Sequence, residues 1–233
     1  EELLVHKNDT LPYRILLPKN YNSQKSYPLL IFLHGAGERG NDNKSQLVHG
    51  SFLFKSKDFR KNHPAIVVFP QCPEKSSWAN VKRNYEMSAG QKFDFFKNIS
   101  ENRQLIMVEK LLDLIQKKYD IDETRRYVGG LSMGGMGTFE LVARNPDYFA
   151  AAFPICGGGN PHWSNLLKRT PFWIFHGEDD GVVSVDFSRK MYEALSKEKA
   201  SVRLTIYPKV NHNSWDNSFA EPDLMHWLFS NKR

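Results

Sequence analysis

Two cysteines in 233 residues are too few for a disulfide-stapled scaffold or for a four-ligand structural zinc site. Cys72 and Cys156 each follow a segment read below as a strand, and unless those strands are neighbours their Cα atoms lie too far apart to bridge, so two thiols are expected. Long apolar runs are also missing: the longest, such as Leu29 to Leu33 and Phe149 to Phe153, fall far short of the roughly 20 residues that cross a bilayer, so no membrane span is expected. Charge of one sign is nowhere concentrated. The 32 Lys and Arg are scattered among 26 Asp and Glu, for a formal net charge of +6, which reads as a solvated basic surface, and no basic stripe interleaved with aromatics marks a nucleic-acid partner. Internal repeats, low-complexity tracts and Pro/Gly/Ser linkers are absent, so one domain over residues 1–233 is expected. An initiator methionine is lacking too. The chain begins Glu1-Glu2-Leu3, from which removal of an upstream segment and a secreted or periplasmic location are expected.

What is present is a rhythm. With 40% hydrophobic and 13% aromatic residues the chain is able to bury a large core, and short β-rich runs alternate with amphipathic ones. That alternation predicts an α/β fold with a mainly parallel central sheet, helices on both faces and three layers. Strands are expected at Tyr13 to Leu17, Leu29 to Leu33, Ala65 to Phe69, Arg126 to Gly130, Ala150 to Ile155, Phe172 to Phe175 and Val202 to Tyr207. Helical spacing joins Val108, Leu111, Leu112 and Ile115 before Tyr119, and Met136, Phe139, Val142 and Ala143 before the Asn145-Pro146 stop. Two further helices are expected, from Val185 to Leu195 and around Leu224 to Phe229. Between Pro73 and Gln104 no periodicity is visible over about 30 residues, far beyond an ordinary connection. Trp78, Tyr85, Phe93, Phe95 and Phe96 lie in this stretch, which reads as a substrate cap or as a satellite of the core.

Chemistry enters at Gly130-Leu131-Ser132-Met133-Gly134, which ends an expected strand and opens an expected helix. A G-x-S-x-G in that setting makes a sharp turn that exposes a nucleophilic serine above the sheet, with the positive end of the helix facing a developing oxyanion. Serine is a weak nucleophile at neutral pH, so a base must take its proton and a third group must hold the base in one tautomer. With this turn the chain order is serine, acid, histidine. The acid is expected after the strand Phe172 to Phe175, in His176-Gly177-Glu178-Asp179-Asp180-Gly181, where Asp180 is chosen for its place before the turn and Asp179 and Glu178 remain open. The base is His212, on the loop after the last strand; His226 falls inside a helix, and His34 and His176 precede the expected position and read as structural residues that shape turns.

A second glycine-rich run, His34-Gly35-Ala36-Gly37-Glu38-Arg39-Gly40, matches G-x-G-x-x-G at Gly35, Gly37 and Gly40. A dinucleotide site would need a helix packed directly on this turn and an acid ending a strand about 20 residues later, and neither is seen. The run reads instead as half of an oxyanion hole whose donors are the main-chain N–H groups of Ala36 and Met133.

Together, Leu33-His34-Gly35-Ala36-Gly37, Gly130-Leu131-Ser132-Met133-Gly134-Gly135, His176-Gly177-Glu178-Asp179-Asp180 and His212-Asn213-Ser214-Trp215 resemble the α/β-hydrolases of the phospholipase/carboxylesterase type, and are similar also to feruloyl-esterase-like and polyhydroxybutyrate-depolymerase-like enzymes. The resemblance implies the α/β-hydrolase fold, a catalytic triad of Ser132, Asp180 and His212, an oxyanion hole at Ala36 and Met133, and no cofactor or metal. Phe69-Pro70-Gln71-Cys72-Pro73 is similar to such single-domain esterases and implies substrate contacts at Gln71 and Trp78. Trp215, three residues after the base, either lines the same pocket or packs. The function expected is a serine carboxylesterase acting on a small-molecule or polysaccharide-linked ester, such as an acetyl or feruloyl ester. The rivals are a serine peptidase of the same fold and a non-catalytic binding protein; no oligomeric state is implied.

Overall fold

A computed structural model describes residues 2–84, 86–88 and 92–233. Glu1, the first residue of the chain, and Tyr85, one of the aromatics expected in the 73–104 segment, lie outside the described residues. Among the described residues ten strands are formed, β1 (Glu2–His6), β2 (Asp9–Leu16), β3 (Tyr27–Leu33), β4 (Ile66–Pro70), β5 (Val81–Arg83), β6 (Phe93–Phe95), β7 (Ile121–Leu131), β8 (Ala151–Ile155), β9 (Phe172–Gly177) and β10 (Val202–Tyr207). Eight of them make one sheet in the order β1-β2-β4-β3-β7-β8-β9-β10. From β4 to β10 every pairing is parallel, while β1 and β2 join antiparallel at one edge.

The three layers follow from the pleat, which sends alternate side chains of a strand to opposite faces. The helices are α1 (Ser51–Lys55), α2 (Lys57–Asn62), α3 (Arg103–Lys118), α4 (Met133–Arg144), α5 (Ser164–Leu167), α6 (Val185–Lys197), α7 (Trp215–Phe219) and α8 (Leu224–Ser230). Leu29, Ile31 and Leu33 of β3 pack with Leu111 and Ile115 of α3, Phe139 of α4 and Met191 of α6. Leu30 and Phe32 pack instead with Phe54, Phe59, Phe219 and Leu228 from α1, α2, α7 and α8. Both sets are fully apolar, which is why the strand sequences read as continuous runs rather than alternating ones.

The expected elements are all present, with shifted ends. Helix α4 starts at Met133, directly after Ser132 as expected, while β2 starts at Asp9 rather than Tyr13. Strand β1 was not expected, because it is a short edge strand whose Leu3 and Val5 are exposed. The 73–104 segment carries an unexpected antiparallel hairpin, β5 with β6, each strand only three residues long. The strands preceding Cys72 and Cys156, β4 and β8, are separated by β3 and β7, and both cysteines are free and buried. Among the described residues no helix is long and apolar enough to cross a membrane.

Candidate active site

Ser132 occupies the turn between β7 and α4 with φ 54° and ψ −116°, a conformation that costs a non-glycine residue about 1–3 kcal/mol. Two glycines permit it. A Cβ on Gly130 would stand 2.5 Å from the Gly134 carbonyl oxygen, and one on Gly134 would stand 2.0 Å from the Leu33 carbonyl oxygen, so no side chain fits at either place. The Ser132 N–H donates to the Ile155 carbonyl at 2.8 Å, fastening the turn to the end of β8.

The other two polar side chains arrive from the ends of the next strands. Asp180 follows β9, and His212 lies between β10 and α7. His212 Nε2 is 2.9 Å from Ser132 Oγ, and His212 Nδ1 is 2.7 Å from Asp180 Oδ2. Asp180 Oδ1 accepts the main-chain N–H groups of Val182 at 2.8 Å and Val183 at 2.9 Å. Burial opposes ionisation of this carboxyl, yet the hydrogen bonds from His176 and His212, the charge of His212 and the Val183 N–H outweigh it and hold the group well below the usual carboxylate range. Asp180 is buried, whereas Glu178 and Asp179 are exposed; the choice left open among three neighbouring acids therefore falls on Asp180.

Ala36 opens the 3₁₀ turn Ala36–Glu38 directly after β3. Met133 is the first residue of α4, where an N–H has no intrahelical acceptor. Both residues line the same cleft as Ser132 and His212, a cavity of about 460 Å³. The G-x-G-x-x-G run thus contains only the three-residue 3₁₀ turn Ala36–Glu38 and does not open the packed helix that a dinucleotide pyrophosphate needs. His34, behind it, is neutral at ordinary pH: burial lowers its pKa to about 4, its Nδ1–H donates to the Gly35 carbonyl at 2.6 Å and its Nε2 accepts the Cys72 N–H at 2.9 Å.

Two expected substrate contacts are corrected. Gln71 and Trp78 are both fully buried, and neither lines the cleft. Gln71 braces the loop that carries Ala36: its Nε2 donates to the Glu38 carbonyl at 3.2 Å and to Asp42 Oδ1 at 2.7 Å, and its Oε1 accepts the Asn43 N–H at 2.7 Å. Trp78 packs edge-on against His34 with ring centroids 5.3 Å apart. Trp215 both packs and lines the cleft, its ring 5.5 Å from His212 and 5.0 Å from His49.

Several contributors were assigned no role from the sequence, although Phe93 was among the aromatics of the expected cap and Arg39 lies in the glycine-rich run. Asn211 Oδ1 accepts the N–H of Gly181 at 3.1 Å and of His212 at 2.7 Å, so one side chain ties the acid loop to the base loop. Val81, Arg83 and Phe93 of the hairpin β5–β6 line the cleft, as do Arg39 and His49. Cys156, Asp180 and His212 form the one grouping of potential metal ligands among the described residues, their donor atoms within 4.8 Å of one another. This set suits a hydrogen-bond relay better than a cation, because the acceptor sites of Asp180 are already taken by N–H donors and burial pushes the Cys156 thiol far up.

Comparison with known proteins places the chain. A bifunctional acetylxylan esterase/xylanase, XynS20E, from Neocallimastix patriciarum is 28% identical over 165 residues, covering 70% of this chain and 21% of the relative. A probable feruloyl esterase C from Aspergillus oryzae is 23% identical over 184 residues, covering 78% of this chain and 59% of that one. The chain therefore spans about a fifth and about three fifths of these two curated relatives. Among solved structures, a thermostable esterase superposes with a TM-score of 0.89 at 36% identity, covering all of this chain and 62% of its own. The ferulic acid esterase from Anaeromyces mucronatus, at 15% identity and a TM-score of 0.71 over 99% of this chain and 89% of its own, shares the fold. Residues 20–223 match the phospholipase/carboxylesterase family, and with the strand order and serine turn described above, the chain belongs to that family of α/β-hydrolases.

Proposed function

We propose that the protein is a serine carboxylesterase working through an acyl-enzyme on Ser132. The observation that carries this reading is the relay from Ser132 Oγ to His212 at 2.9 Å and from His212 to Asp180 at 2.7 Å, in a cleft that Ala36 and Met133 also line. Ser132 Oγ attacks the ester carbonyl carbon while His212 Nε2 takes its proton, and Asp180 holds the imidazole by Nδ1–H and stabilises its cationic form. The tetrahedral oxyanion rests on the N–H groups of Ala36 and Met133, each such donor being worth about 10²–10³ in turnover. Collapse sends the proton from His212 to the departing alkoxide, and water, activated by the same imidazole, releases the acid.

The substrate class is a polysaccharide-linked or small acyl ester. It is supported by the named activities of the relatives, acetylxylan and feruloyl esterases, and by a cleft that offers Trp215 and Phe93 as ring surfaces with Arg39 and Arg83 at its wall. The 73–104 segment acts as a cap in this reading, since Ser77, Val81, Arg83 and Phe93 belong to it. No cofactor takes part. The test is hydrolysis of a short-chain p-nitrophenyl ester by the wild type and by Ser132→Ala: the variant should lose at least about 10³ in kcat, and full retention would end the proposal. Acetyl, feruloyl and longer acyl esters compared with the corresponding amides then define the acyl group and separate esterase from peptidase.

A further inference from the structure

His176 is completely buried at the end of β9, and its imidazole is the second to reach the triad carboxylate. Its Nε2 lies 3.1 Å from Asp180 Oδ2, the same oxygen that His212 Nδ1 approaches at 2.7 Å, and 2.9 Å from the Val183 carbonyl oxygen. Both neighbours of Nε2 are acceptors, so this nitrogen carries a proton. On the other side of the ring, Nδ1 is 2.7 Å from Ser188 Oγ on α6, and Ser188 Oγ is 3.2 Å from the Gly157 carbonyl oxygen after β8. One ring thereby links the ends of β8 and β9 to α6 and to the acid loop.

With His176 counted, Asp180 has two N–H donors on each oxygen: Val182 and Val183 on Oδ1, His212 and His176 on Oδ2. A carboxylate has about four such sites. Its plane is therefore fixed from both sides, and the negative charge that His212 feels is shared with a competitor.

We propose that His176 is a positioning residue for the reaction, which fixes Asp180 through Oδ2 and sets how strongly Asp180 holds the proton on His212. This inference rests on the esterase reading above. Its consequence has a sign. Removing the His176 donor leaves more charge on Oδ2 for His212, which favours the imidazolium, so the base loses its proton at higher pH and the acid limb of kcat/KM moves up. The groups that surround His212 are Asp180, Cys156 and Ser132 at short range, with Glu38, Arg39, Arg83 and His49 along the cleft; none of these is altered by a substitution at His176. A merely structural histidine would lower kcat at all pH values alike.

The experiment is the pH profile of kcat/KM for His176→Leu, with His176→Gln as the conservative rescue because its amide places an N–H near the Nε2 position. The same profile is taken for the rate at which a fluorophosphonate labels Ser132, so that the result stands even if no tested ester is turned over. His176→Leu should lose at least about threefold more activity at pH 5.5 than at pH 8, and His176→Gln should recover most of that difference. Parallel profiles for wild type and His176→Leu, or a Gln variant no better than Leu, would overturn the proposal. Should His176→Leu fail to fold, Ser188→Ala carries the test by releasing the Nδ1 side of the ring, together with the Gly157 carbonyl, while the imidazole itself remains: a loss biased to low pH supports it, and an unchanged profile overturns it.

Discussion

Glu140, on the buried face of α4, accepts two hydrogen bonds from Asn80, one from its main-chain N–H at 2.6 Å and one from its side-chain amide at 3.0 Å. The helix that follows Ser132 is thus joined to the residue immediately before β5, whose Val81 and Arg83 line the cleft. Burial pushes this carboxyl up to about 7, against the pull of the Asn80 N–H and of Arg144.

A dependence of stability on pH follows from that pair. Glu140 is raised from an ordinary value of 4.5 to about 7 in the fold, so between those two pH values the native state binds more protons than the unfolded chain. Stability contributed by this group is therefore full below the lower value and falls as pH rises through the higher one. Glu140→Gln lacks the proton equilibrium. The Tm of the wild type relative to Glu140→Gln should decline between pH 4.5 and 7.5, and a difference independent of pH would contradict the assignment.

Gln71 is expected to matter for turnover without touching substrate. Gln71→Leu keeps the side-chain volume but strips the partners from the Asn43 N–H and the Glu38 carbonyl, at a cost of about 1–3 kcal/mol for buried groups left unpaired. With the loop carrying the Ala36 donor loosened, kcat should fall while KM changes little. Steady-state kinetics alongside urea unfolding check both, and a rise in KM at constant kcat would restore the substrate-contact reading.

Two glycines in the site should respond in opposite ways to an added methyl group. Gly134→Ala puts a Cβ 2.0 Å from the Leu33 carbonyl oxygen and 2.7 Å from that of His34, backbone that has no room to move, so the variant should lose Tm and labelling of Ser132 together. Gly37 has open space around its Cβ position, and Gly37→Ala should retain wild-type Tm and activity within about twofold. Thermal melts and fluorophosphonate labelling of the two variants side by side decide it.

The thiols should be silent in the native protein. Cys72 and Cys156 are both fully buried, and burial pushes Cys72 up to about 12 and Cys156 further still, which keeps the reactive thiolate scarce. Ellman's reagent should find no reactive thiol before unfolding and two per chain in denaturant. Reaction at the rate of a free thiol in native buffer would mean that the β4 or β8 end opens.

Most of the site was legible because each part has a local signature. Ser132 needs a strand, two close glycines and a helix, which fixes its neighbours in sequence, and the chain order of serine, acid and base then restricted the search to a few side chains. Burial chose among the three acids, and burial depends on how the loop after β9 folds back, which no local pattern encodes. Gln71 and Trp78 were placed near the site correctly as to region but wrongly as to role, since closeness along the chain to a cleft does not say which way a side chain points. The hairpin β5–β6 escaped because its strands are three residues long, too short for an alternation such as that of Phe93-Asp94-Phe95 to stand out. His176 read as a turn residue because its significance lies in an oxygen shared with a histidine 36 positions away.

The central claim is that Ser132 is made nucleophilic by His212. Its most direct measurement is mass spectrometry of the protein after treatment with a fluorophosphonate, comparing wild type with Ser132→Ala and His212→Asn. The account predicts a single phosphonyl adduct on the peptide containing Ser132 in the wild type, none in Ser132→Ala, and labelling slowed by at least about a hundredfold in His212→Asn. An adduct on another residue, or equal labelling with and without the imidazole, would contradict it.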